Sequence, residues 1–328
     1  MTRKGEEDMP AIDMPIHELQ AYSGINPRPV DFDAYWERAL NEMRQVDAAI
    51  ELVPSEFQTP AAECFDLYFT GVRGARIHVK YARPRGAEQP HPAVVQFHGY
   101  TANAGDWADK LSLVSLGYSV FAMDCRGQGG YSEDAGSVKG NTHNGHIIRG
   151  LDDHPDQLLF RHIFLDCAQL AGIALNSTEV DPAHVYAMGG SQGGALTIAC
   201  AALEPRVSKL APVFPFLSDY RRVWEMDLDR DAYAELRTFF RHFDPQHERE
   251  EEIFTKLGYI DIQFLANRIE GEVLMGVGLM DTICPPSTQF AAYNKITAAK
   301  RLEIYPDFGH EGLPGFNDKV IRFFLGTY

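Results

Sequence analysis

The segment Gly189-Gly190-Ser191-Gln192-Gly193-Gly194 sets a serine among glycines at the spacing G-x-S-x-G. It follows the apolar run from His184 to Met188 and precedes a small, apolar, helix-forming run from Gln192 to Leu203. A sharp strand-to-helix turn of this kind lifts a serine hydroxyl clear of the backbone, in a strained conformation that requires small neighbours. The first N–H groups of the helix then point at any oxyanion that develops there. The competing readings are an idle serine on a Gly-rich turn, or a phosphate loop. The phosphate pattern G-x-x-x-x-G-K-[ST] is missing, because no lysine follows Gly194.

A serine hydroxyl is a weak nucleophile and needs a base that is itself oriented by an acid. After a serine turn of this type the chain order is Ser, then Asp or Glu, then His. Of the downstream histidines, His242 and His247 fall in a charged stretch and read as solvated surface. His310, in Asp307-Phe308-Gly309-His310-Glu311, follows the last apolar run and is the candidate base. Asp281 follows the preceding run and is the candidate acid. Asp307 is its rival but sits too near His310 in the chain to face the imidazole, and Asp261 belongs to the charged stretch. The second oxyanion donor should come from the loop His98-Gly99-Tyr100-Thr101, so the backbone N–H groups of Tyr100 and Gln192 form the candidate pair. The Tyr100 ring also lines the pocket in this reading, and His98 is structural. Tyr100, Trp107, Pro212 and Phe214 are expected to crowd the serine, leaving room for a methyl group and little more.

In Asp124-Cys125-Arg126-Gly127-Gln128-Gly129-Gly130, Arg126 and Gln128 either pin active-site loops or touch substrate. The scaffold role is favoured, since an arginine fork typically fixes carbonyls or carboxylates. His143 and His146 lack a nearby carboxylate or cysteine as third ligand, so no metal site is assigned. Hydrolysis by Ser, His and Asp needs neither metal nor cofactor, and none is expected.

These residues need a scaffold. Ala93 to Phe97, Tyr118 to Met123, His184 to Met188, Lys209 to Phe214, Val273 to Val277 and Leu302 to Tyr305 read as strands. Helical segments alternate with them, among them one that includes Leu111, Val114 and Leu116, and a long one from Asp156 to Leu175. That alternation means an α/β fold with a mostly parallel sheet covered on both faces. Cys64 to Thr70 and Arg76 to Tyr81 form an antiparallel pair at one side. An amphipathic helix from Asp31 to Val46, capped by Asp31 or Asp33, precedes them. The chain reads as one domain over residues 1–328, with residues 1–30 as a polar N-terminal extension. Residues 215–269 read as a helical insertion above the strand ends, serving as lid or oligomer contact.

Composition narrows the function classes. Of 328 residues, 46 are acidic and 30 basic, for a formal net charge of −16, and no basic cluster offsets this. Such a chain is repelled by a phosphate backbone, which excludes nucleic acid as a partner. No apolar run approaches a membrane span, and the charged residues from Arg3 to Asp8, with no apolar core of signal-peptide length beside them, argue against a secretory signal. The 5 cysteines are widely spaced with no CxxC, which points to reduced thiols and a cytoplasmic setting.

Together these segments resemble the cephalosporin C deacetylase and acetyl xylan esterase family, carbohydrate esterase family seven, within the α/β-hydrolase fold. The resemblance rests on Arg126-Gly127-Gln128, the Ser191 motif and His310-Glu311. It extends to Gly145-His146-Ile147-Ile148-Arg149-Gly150, Tyr293-Asn294, and the run from Asp281 to Thr288. It covers the chain from about Asp31 to the end, with the segment before Pro15 outside it. It implies a cytoplasmic deacetylase of small acetylated sugars and cephalosporin C, with Ser191, Asp281 and His310 as triad and Tyr100 and Gln192 as oxyanion donors. It also implies a homo-hexamer with active sites facing an internal cavity. The other reading is a hydrolase of another acyl class on the same fold, a general carboxylesterase or a peptidase.

Overall fold

The computed structural model describes residues 12–134 and 144–328. Nine strands form one sheet: β1 (Glu51–Pro54), β2 (Ala62–Thr70), β3 (Arg76–Pro84), β4 (His91–Phe97), β5 (Ser119–Met123), β6 (Val180–Gly190), β7 (Lys209–Val213), β8 (Glu272–Gly278) and β9 (Lys300–Tyr305). Their order is β1-β2-β3-β5-β4-β6-β7-β8-β9. The first three pair antiparallel, β3 meets β5 antiparallel, and every pairing from β5 through β4 to β9 is parallel. The fold is thus the expected α/β-hydrolase arrangement. Phe97, Gly189 and Pro212 lie in one register row, so the carboxyl ends of β4, β6 and β7 open side by side beneath Ser191.

Helices cover both faces. On one side lie α4 (Leu159–Leu175) and α5 (Gln192–Leu203), with α2 (Phe32–Arg44) outside α4. All twelve residues of α5 are buried, which suits its run of Gly, Ala, Thr and Cys: a helix apolar all round belongs inside a core. On the other side, α3 (Leu111–Ser115) and α10 (Phe316–Phe324) share a second apolar cluster. In α10, Phe316, Val320, Phe323 and Phe324 fall on one face.

Between β7 and β8 the chain forms α6 (Tyr220–Glu225), α7 (Ala234–Phe243) and α8 (Glu250–Leu257) with several short 3-10 turns and no strand. Then come α9 (Pro286–Lys295), β9 and α10.

Several expectations need correcting. Residues 12–30 are built into the body rather than appended to it. Ile16 and Leu19 of α1 (Ile16–Ala21) are buried. Asp13 accepts from Arg222 Nη2 and Ser287 N, both at 2.7 Å, and the Asp219 carboxylate accepts from Tyr22 Oη and from the N–H groups of Ile25 and Asn26. The polar composition of this segment reflects paired polar groups. Asp31 is the N-cap residue of α2, but its side chain makes no cap bond and instead accepts from Tyr259 Oη. The long helix starts at Leu159, after a 3-10 turn over Pro155–Gln157.

Candidate active site

Ser191 sits at the end of β6 with φ 58° and ψ −120°, the strained left-handed turn anticipated from its motif. Its backbone is tied down on both sides: its N–H donates to Val213 O at 3.0 Å, and its carbonyl accepts from Phe216 N at 3.0 Å. The flanking glycines are sterically required. A Cβ on Gly193 would stand 2.1 Å from Phe97 O, and one on Gly189 would meet Phe97 O and the Gly193 backbone at 2.6 Å. Gln192 opens α5, so its N–H has no acceptor within the helix.

His310 and Asp281 meet as expected. His310 Nδ1 lies 2.8 Å from Asp281 Oδ2. The carboxylate accepts, so Nδ1 carries the proton and Nε2 keeps its lone pair. Asp281 is fully buried, and its Oδ1 accepts the N–H groups of Ile283 and Cys284, each at 2.8 Å. Gln289 of α9 donates to Oδ2 at 3.3 Å and to Cys284 O at 2.5 Å. With these bonds in place the acid has one orientation, and through it so does the imidazole. Phe214 packs against the His310 ring, centroids 4.5 Å apart.

Cys284 is a site neighbour that the sequence reading leaves among the unpaired thiols. All five cysteines are free and buried. Burial, with Asp281 adding to it, pushes the Cys284 thiol well up, while the Ser191 hydroxyl beside it acts in the opposite direction. Ligand atoms of Asp281, Cys284 and His310 lie within 4.8 Å of one another. A metal there would have to take a thiolate from a thiol that burial keeps protonated, and displace the bonds that already hold Asp281. The donor set fits a proton relay better than a metal. Among the described residues no other such cluster occurs. His146 is buried with Nε2 at 3.0 Å from Gly127 O, whereas His143 lies outside the described residues.

Loop scaffolding accounts for Arg126 and Gln128. The Arg126 fork binds Asp166 of α4 at 2.7 and 2.6 Å, with both side chains fully buried. Gln128 accepts from Thr101 N at 3.0 Å and exchanges amide bonds with Gln192 at 2.7 and 3.0 Å. It thus joins the Tyr100 loop to the start of α5. His98 is structural: its Nδ1 meets Gly99 O at 2.7 Å and its Nε2 accepts from Cys125 N at 3.0 Å. Burial holds His98 below the usual imidazole range, which keeps it neutral.

Asp124, given no role from the sequence, carries much of this framework. It accepts from Ala104 N at 2.7 Å and Tyr131 N at 2.9 Å, and pairs with His78 Nδ1 at 2.6 Å. Burial pushes its carboxyl up, but these bonds outweigh it and hold Asp124 below the ordinary range. His78 Nε2 in turn meets Asp66 at 2.8 Å, which ties the loop to β2.

Tyr100 packs against Phe216 and His146, at 5.6 and 5.1 Å between centroids, and its Oη accepts from His146 N at 3.2 Å. Trp107 does not crowd the serine. It stacks on Phe57, with Lys80 Nζ 5.3 Å from its ring, on the antiparallel side of the sheet. Pro212 is a sheet residue paired with Gly189. An apolar cavity of about 350 Å³ lies beneath Phe214, lined also by Gly190, Met188, Leu313 and Phe316.

Comparison with known proteins gives the family of the chain. The acetyl xylan esterase (AXE1) family profile matches residues 9–327, which places residues 9–14 inside the match rather than before it. Acetyl xylan esterase 1 from Thermoanaerobacterium sp. superimposes with a TM-score of 0.93 at 62% identity, over 97% of this chain and 100% of that one. The acetyl xylan esterase from Paenibacillus sp. R4 gives 0.90 at 34% identity, over 95% and 99%. The acetyl esterase Axe7A of Xylanibacter ruminicola is 29% identical over 85% of this chain, which spans 62% of that protein's length. A profile match across nearly the whole chain and an elbow serine beside an Asp281–His310 pair point the same way, and the chain belongs to the acetyl xylan esterase family of α/β-hydrolase fold.

Proposed function

We propose that this protein is a serine esterase that removes acetyl groups from small acetylated sugars and from cephalosporin C. The observation that carries the reading is the Asp281–His310 bond of 2.8 Å next to a serine held at φ 58°. Ser191 Oγ attacks the ester carbonyl carbon while His310 Nε2 takes its proton, and Asp281 stabilises the imidazolium. The carbonyl oxygen becomes an oxyanion received by the N–H groups of Tyr100 and Gln192. Collapse of the tetrahedral intermediate breaks the bond to the alcohol, which leaves with the proton from His310. A water molecule then gives a proton to His310 and attacks the acetyl-Ser191 carbonyl; the bond to Ser191 Oγ breaks, His310 returns the proton to Oγ, and acetate leaves.

The alternative is a general carboxylesterase. The cavity beneath Phe214 favours it, because a longer acyl chain would fit there if the ring moved aside. With p-nitrophenyl esters the leaving group is constant, so the acyl series separates the two. The acetyl esterase reading expects kcat/KM to fall at least about tenfold from acetate to butyrate. A rise would transfer the assignment to the carboxylesterase. Acetylated xylo-oligosaccharides and cephalosporin C, assayed beside polymeric acetyl xylan, test the substrate class.

Further parts of the reading are a homo-hexamer with enclosed sites and a cytoplasmic location. The five unpaired, buried thiols support a reducing compartment. Light scattering should give six copies, and short acetylated oligosaccharides should react much faster than polymer. A monomer at micromolar concentration would remove the hexamer.

A further inference from the structure

Residues 233–235, at the start of α7 in the insertion, reach the Tyr100 loop by two routes. The first is aromatic. Tyr233 is fully buried and packs on Phe216 at 4.4 Å between centroids, and Phe216 packs on Tyr100. The second is polar. Glu235 is 5% exposed, and its Oε2 accepts the N–H of Ile147 at 2.7 Å. The other carboxylate oxygen, Oε1, is buried without a hydrogen-bond partner. Burial pushes the Glu235 carboxyl up, and the backbone of the 145–148 turn offsets this only in part, leaving it raised to about 7. A group so costly to bury as an anion is placed there against the backbone of a single turn.

That turn is in direct contact with Tyr100. The His146 N–H donates to Tyr100 Oη at 3.2 Å, and the two rings meet edge to face. His146 Nε2 also reaches Gly127 O at 3.0 Å, next to Gln128, which holds Thr101 N. The loops carrying residues 99–101, 126–128 and 145–148 therefore form one network.

We propose that Glu235 is a positioning residue for the reaction: its carboxylate holds the 145–148 turn against Tyr100 and so fixes the Tyr100 N–H that receives the oxyanion. The inference rests on the esterase reading above. A donor displaced by a fraction of an ångström stabilises the transition state less while substrate still binds, so the effect belongs on kcat.

The test uses the full chain with p-nitrophenyl acetate, and a fluorophosphonate to count competent sites. Glu235→Ala should lower kcat per titrated site about 10- to 100-fold, with KM changed less than about threefold. Glu235→Gln keeps a carbonyl acceptor for Ile147 N–H and should stay within about threefold of the parent. Tyr100→Phe removes the phenol that His146 N–H grips and should lower kcat about tenfold. The pair of changes should be no worse than Glu235→Ala alone, because both act through one link. Normal kcat per titrated site in Glu235→Ala overturns the proposal, as does a Gln variant as impaired as the Ala variant, or strictly additive losses. If Glu235→Ala yields no soluble protein, Tyr100→Phe decides, and unchanged kcat there overturns it. Ser191→Ala separates the two levels. If it is inactive while Glu235→Ala is normal, the esterase reading stands and the role of Glu235 falls.

Discussion

Arg126→Met tests whether the buried fork under the active-site loops is an electrostatic strut. Arg126 and Asp166 are both fully enclosed, joined at 2.7 and 2.6 Å, and Arg126 Nη1 also bonds Val72 O at 3.2 Å. The site is packed to contact: a Cβ on Gly71 would fall 2.4 Å from Asp166 Oδ1 and 2.7 Å from Arg126 Nη2. Removing one partner leaves an uncompensated buried charge, at a cost of about 3–5 kcal/mol. With unfolding entropy scaling with the 328 residues, that is a drop in Tm of roughly 4–7 °C. Arg126→Met with Asp166→Leu removes both charges and should recover at least half of the loss.

The deficit should also depend on pH. Burial pushes the Asp166 carboxyl up and Arg126 pulls it back. In the variant only the upward push remains, so the folded state holds the proton to higher pH than the unfolded chain does. Stability from such a group is full below the unfolded carboxylate pKa of about 3.9 and is lost as pH rises through the raised folded value. The deficit is therefore smaller near pH 5 than near pH 8. Calorimetry at matched protein concentration measures all three quantities. A single variant within about 1 kcal/mol of the parent, a double variant no better than the single, or a deficit that shrinks with rising pH would refute the reasoning.

Three further outcomes follow from the site. Gly193→Ala should give little soluble protein, because its Cβ would meet the Phe97 carbonyl at 2.1 Å; expression with normal Tm and turnover would contradict the elbow geometry. Phe214→Ala should raise the butyrate-to-acetate ratio of kcat/KM by about tenfold or more, since the ring both packs on His310 and lines the apolar cavity; an unchanged ratio would place the acyl group elsewhere. Truncation before Ser23 should lower Tm, because it strips Ile16 and Leu19 from the core and the Asp13 carboxylate from Arg222; a parental melting curve would show the segment to be dispensable.

How far the sequence could be read followed from where the physics is local. Strand-to-helix alternation and the glycine spacing around Ser191 are local patterns, and the run from β4 to β9 with α5 appears where they place it. Chain order and position after a strand single out Asp281 and His310, which the structure brings within 2.8 Å of each other. The phenylalanine spacing of α10 is equally local, whereas β1 is exposed along its whole length and has no alternation to find. The polar segment before Pro29 reads as an extension because nothing in it reveals that Asp219 and Arg222, some two hundred residues away, pair with its polar groups. Glu235 was hidden for a related reason. It is one carboxylate in a charged stretch, and only the tertiary fold shows that it is buried while Asp231, Arg237 and Arg241 near it are exposed. Trp107 was misplaced because sharing a loop with Tyr100 says nothing about which way a short 3-10 turn over Trp107–Lys110 swings the ring.

The central claim is that Ser191 carries the acetyl group. Rapid mixing with p-nitrophenyl acetate, acid quench and peptide mass spectrometry reads this directly. The account predicts one acetyl group per chain, mapped to Ser191, at the rate of the p-nitrophenol burst, and no such adduct or turnover in Ser191→Ala. An adduct on another residue, such as the adjacent Cys284, or a Ser191→Ala variant that still turns over, would contradict it.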